Sequence, residues 1–128
     1  MFKKYSLILF FSFAIQGQTY AADNSDILDI FDQFISSGAA VSRCETPAKD
    51  ILKHYIDNLQ MVSVLVSEKI KEKNPEYLKE NISKVMNNRS DLITKEVNQI
   101  IDDKSCNDAG VQKVIERFYK QAKWKPVQ

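Results

Sequence analysis

From Ile27 to Ala122 the apolar residues return at steps of three and four, the period of one face of an α-helix. A chain with that spacing can bury its apolar groups only by packing helix faces together. Ile27, Leu28, Phe31, Phe34 and Ile35 open the pattern, and Ile51, Leu52, Tyr55, Ile56, Leu59, Val62, Val66 and Ile70 form its longest stripe. Leu78, Ile82, Val85 and Met86 continue it, followed by Leu92, Ile93, Val97, Ile100 and Ile101. Val111, Val114, Ile115, Phe118 and Ala122 complete it. Sustained two-residue alternation is absent and the chain holds only 3 Gly, too few for a hairpin-rich fold. The reading is all-α: a small bundle of four or five antiparallel helices.

Capping chemistry sets the expected boundaries. Asn24 or Ser25 suits the start of the first helix, with Asp26 and Asp29 at its positive end. Gly38, Ala39 and Ala40 thin its side chains, so it is expected either to fray there or to be closely approached. Thr46 before Pro47 predicts the second start, and Asn74 before Pro75 predicts the end of that helix near Lys73 and the opening of the next. The second helix, widened by Met61, Val64 and Leu65, reads as the central one with several neighbours. Asn87 to Ser90 are poor helix formers, so a break is expected there, with one continuous helix from Pro75 to Asp103 as the alternative. Asn107 or Asp108 caps the last helix, and Pro126 stops it near Trp124.

Residues 1–21 read as a secretory signal: Lys3 and Lys4, then the apolar run Leu7–Ile15, then a polar exit ending at Ala21. That run is about nine residues, whereas a bilayer span needs roughly 20. Residues 22–128 are then a single helical domain, periplasmic or secreted. In such a compartment the two cysteines, Cys44 and Cys106, are expected to form one disulfide. Antiparallel packing would set the end of the first helix beside the start of the last, where these residues lie.

Charge excludes several classes. The 18 basic and 17 acidic residues balance, and Lys3 and Lys4 belong to the leader, so a nucleic-acid partner is not expected. One His and two Cys cannot assemble a Cys/His zinc site, and no cofactor motif is present. His54 is the one imidazole, and a small hydrolase would have to use it, in a deep pocket with a carboxylate or hydroxyl. No nucleophile motif accompanies it, so the chain is expected not to be an enzyme.

The ends of the chain differ in sign. Asp23, Asp26, Asp29 and Asp32 precede any base after Lys4, whereas Lys113, Arg117, Lys120, Lys123 and Lys125 oppose only Glu116. Lys113, Arg117 and Lys120, spaced at four and three, would form a basic stripe leading to Trp124. These four residues are the expected contact set for another protein, with an anionic membrane surface as the alternative. Trp124 would otherwise fold back onto the core. In outline, a leader followed by a small helical domain with one disulfide resembles the acid-stress chaperones of the periplasm and the helical immunity proteins that neutralise secreted toxins. No motif of either group is matched residue by residue, so no site residue is carried over. The functional expectation is an exported helical protein that binds another protein as an inhibitor, immunity factor or chaperone-like accessory. The alternatives are a secreted effector acting at a membrane and the hydrolase using His54.

Overall fold

The structure is a computed structural model that describes residues 27–125. It is all-helical, with α1 (Ile27–Cys44), α2 (Lys49–Lys73), α3 (Lys79–Lys104) and α4 (Ala109–Lys123), and no strand among the described residues. The leader at 1–21, the expected caps Asn24 and Ser25, and Pro126 lie outside the described residues. Helix polarity follows from side-chain pairs. Asp32 meets Arg89 and Arg43 meets Asp102, so α1 and α3 run the same way. Tyr55 stacks on Phe118 and the Asn58 side chain reaches the carbonyls of Gln121 and Trp124, so α2 and α4 also run together. Consecutive helices are antiparallel, which brings Cys44 beside Cys106, bonded with their Cα atoms 5.7 Å apart.

The central helix is α1, not α2. Only α1 packs extensively against all three others. Its Ser36, Ser37 and Ala40 are buried, and side chains this short let neighbouring backbones approach. The buried hydroxyls cost little because Ser36 and Ser37 donate to the carbonyls of Gln33 and Phe34, both at 3.1 Å. By contrast α2 buries only Tyr55, Asn58, Val62, Val66 and Ile70 and leaves Leu52, Ile56, Val64 and Leu65 exposed. A count of apolar residues overstates its centrality, because α3 lies mainly against α1 and leaves one side of α2 open.

Gly38 shows how closely α1 is approached. A methyl group at this position would meet the hydroxyl of buried Tyr55 and come within 3.2 Å of its Cζ. That hydroxyl donates to the Phe34 carbonyl, and burial holds the phenol well above its ordinary pKa. Gly→Ala in a helix ordinarily stabilises by about 1 kcal/mol. Here Gly38→Ala is expected to destabilise by about 1–3 kcal/mol in urea denaturation, because the Tyr55 ring has no room to retreat. Truncating the ring in Tyr55→Leu should shrink or reverse the penalty of Gly38→Ala. Equal penalties in both backgrounds would refute the clash.

Two boundaries depart from expectation. Thr46 and Pro47 sit in the connection rather than in α2, which begins at Lys49 after Ala48, with no side-chain cap. The Asn74–Pro75 pair likewise lies in a turn, and α3 starts at Lys79. The ammonium of Lys71 donates to the carbonyls of Pro75 and Tyr77, at 2.8 and 2.5 Å, which stabilises the turn. The Leu78 amide donates to Asn81 Oδ1 at 2.8 Å. The expected break at 87–90 is absent, because the Arg89 guanidinium forks onto both Asp32 oxygens at 2.6 and 2.7 Å and pins α3 there. Ser105, at φ 78°, turns the chain out of α3 just before Cys106. Asp108 then caps α4, accepting from the amides of Gly110 and Val111 at 3.0 and 3.3 Å.

Candidate functional site

The four expected contact residues do not form one exposed stripe. Lys113 and Lys120 are exposed, but Arg117 is buried at 7% exposure. It lies three and four residues from Val114 and Gln121, on the flank of the apolar face. Burial pushes its guanidinium pKa down, and its Nε has no hydrogen-bond partner. It serves as a packed arm beside the core, its stem covering apolar surface. The exposed basic residues of this helix and its end are Lys113, Lys120, Lys123 and Lys125.

Trp124 is partly folded back onto the core and partly exposed. One side of its indole lies 6.2 Å from the Phe34 ring, centroid to centroid, while 40% of the residue remains exposed. The exposed part borders a cavity of about 410 Å³ between the first half of α2 and the last turns of α4. Ile51, His54, Asp57 and Asn58 line it from α2. Tyr119, Ala122, Lys123, Trp124 and Lys125 line it from the other side. Asn58 fixes the geometry: its buried amide donates to the carbonyl of Gln121 at 2.8 Å and to that of Trp124 at 3.0 Å, closing the end of α4 onto α2. On the far side of α4, Ser37 of α1 is hydrogen-bonded to the Gln121 side chain. The last turns of α4 are therefore held from two directions.

The cavity brings His54 together with a carboxylate and a hydroxyl, as a hydrolase would need, yet both partners are engaged elsewhere. Asp57 is paired with Lys53 at 2.7 Å. The Tyr119 hydroxyl donates to Glu45 at 3.2 Å, and desolvation, with that carboxylate, raises its pKa. No serine, threonine or cysteine is among the lining residues. The wall therefore has donors and apolar surface but no nucleophile paired with a base. No group of three or more metal-ligating side chains lies together among the described residues, and no described helix is long and apolar enough to cross a membrane.

The chain matches no protein-family model, no curated protein and no solved structure. Sequence reasoning identified Trp124 and its flanking lysines and singled out His54, but did not bring them together. The available signal was the spacing of Ile51, His54 and Asn58 at three and four, which sets the two polar residues on one side of α2 with the start of its apolar stripe.

Proposed function

We propose that this is an exported, non-enzymatic helical protein that binds another protein, as an inhibitor, immunity factor or chaperone-like accessory. The observation that carries this reading is the half-exposed Trp124 between Lys123 and Lys125 at the mouth of an open cavity. An aromatic residue rigidly seated on one side and free on the other is the usual anchor of a protein interface. The surrounding lysines favour an acidic partner and would speed its approach. The disulfide fits an oxidising compartment, in keeping with the leader read in the sequence. The membrane alternative loses force with Arg117 buried, since stable attachment to anionic lipid generally needs a denser cluster than the lysines that remain.

The test is a pull-down from exported proteins with the oxidised protein, beside the triple variant Lys113→Glu, Lys120→Glu, Trp124→Ala. Arg117 is left intact because it packs against the core. One protein retained by the wild type and lost from the variant is the expected result. The same proteins on both, or retention of anionic vesicles alone, would overturn it.

A further inference from the structure

We infer that the cavity between α2 and α4 is a binding site for a carboxylate carried on an apolar body. This rests on the reading of that end of the bundle as the recognition surface, and it adds the chemistry recognised there. The walls offer two kinds of surface. Ile51, Ala122 and the Trp124 ring are apolar, and about 410 Å³ is a volume suited to one side-chain-sized group rather than a folded segment. Lys123 and Lys125 add two cations at the rim, and His54 adds a ring N–H.

The charge balance decides the sign of the ligand. Asp57 is the one acidic residue among those lining the cavity, and Lys53, outside the lining, already neutralises it at 2.7 Å. Neither Lys123 nor Lys125 forms an ion pair among the described residues. Glu45, hydrogen-bonded to the lining Tyr119 hydroxyl, offsets one of these two cations, so the cavity and its surroundings keep a net positive charge.

The end of a helix would normally oppose an anion, because its last carbonyls carry partial negative charge. Here Asn58 occupies two of them, those of Gln121 and Trp124, with one amide group. The cations at the rim then outweigh the carbonyls they stand beside. A bare inorganic anion would leave the apolar walls wet. A neutral hydrocarbon would leave the lysines without a counter-charge. A carboxylate on a branched or aromatic apolar group satisfies both, whether it is the last residue of a partner polypeptide or a free organic acid.

Trp124 is the only tryptophan in the chain, so its emission reports directly on this cavity. The purified oxidised protein would be titrated with 4-methylpentanoate, with N-acetylglycyl-leucine, and with the carboxamide of each. A saturable change in emission is expected with the acids, and binding weaker by at least about tenfold with the carboxamides. Lys123→Ala with Lys125→Ala should weaken the acids by a similar factor, while Lys84→Ala, exposed on α3 and outside the cavity lining, should not. Tighter binding of N-acetylglycyl-leucine identifies a polypeptide terminus as the source; equal or tighter binding of 4-methylpentanoate identifies a free acid. The inference is overturned if acid and carboxamide titrate alike, if the double lysine variant binds as the wild type does, or if no ligand gives a saturable change. Circular dichroism of the double variant verifies that it is folded. No protein partner is present in this titration, so its failure would leave the pull-down outcome standing, and the reverse also holds.

Discussion

Replacing Cys44 and Cys106 together by serine is expected to lower the unfolding free energy by about 4 kcal/mol. The bond joins positions 62 apart, so the reduced chain regains the freedom of most of the bundle when it unfolds. The Cα separation of 5.7 Å lies within the ordinary range for disulfides, so the two serines can occupy the same backbone without rearrangement. Against a typical stability of about 5–15 kcal/mol, such a loss is a large share of the total. At a slope of ~2 kcal/mol per molar, the urea midpoint should fall by roughly 2 M. A much smaller fall would mean that the unfolded chain is already compact without the bond.

Phe118→Ala should cost about 3–5 kcal/mol. Phe118 is 1% exposed, stacks on Tyr55 with centroids 4.2 Å apart and meets the edge of Tyr119 at 5.3 Å. Its removal opens a void where α2 and α4 join, and the neighbouring rings are too well seated to fill it. Val64→Ala is the internal control: at 58% exposure it should change stability by less than about 0.5 kcal/mol. Urea denaturation of the two variants and the wild type checks both values. Similar losses would mean that Val64 is covered in solution by something else, such as a second copy of the chain.

The helical nature of the fold was legible because apolar period is a local property, and so, as one of two candidates with Asn107, was the cap at Asp108, where one side chain reaches the amides two and three residues on. The two proline signatures misled about where the helices start, although Asn74–Pro75 did mark the end of α2 at Lys73. A capping residue followed by proline favours a helix start, but the connections at 45–48 and 74–78 also need room to reverse direction, and both prolines were spent on that reversal. Arg89 shows what periodicity cannot supply. Its partner Asp32 lies 57 positions away, and that ion pair holds straight a segment whose own preferences favour a break. Arg117 fails differently. Spacing put it in a basic stripe with Lys113 and Lys120, but whether a position beside an apolar face is covered depends on the neighbouring helix. The cavity was hidden for the same reason, since residues 51–58 and 119–125 meet only through the parallel pairing of α2 with α4. The central position of α1 was half visible in Gly38, Ala39 and Ala40, where thin side chains pointed either to fraying or to close approach, and the helix shows close approach.

The covalent bridge also determines how this molecule would respond to tension. If the chain were drawn from both ends, the load would pass from α1 through the sulfur atoms directly into α4 and bypass α2 and α3. The 62 positions between the cysteines, roughly 210 Å of extended chain, could not pay out until the bridge was reduced. A peptide bond cut anywhere in the turn at 74–78 would likewise leave one molecule rather than two fragments. The two middle helices thus lie in a closed ring, mechanically shielded, and only the first and last helices, which lie outside it, can be peeled away.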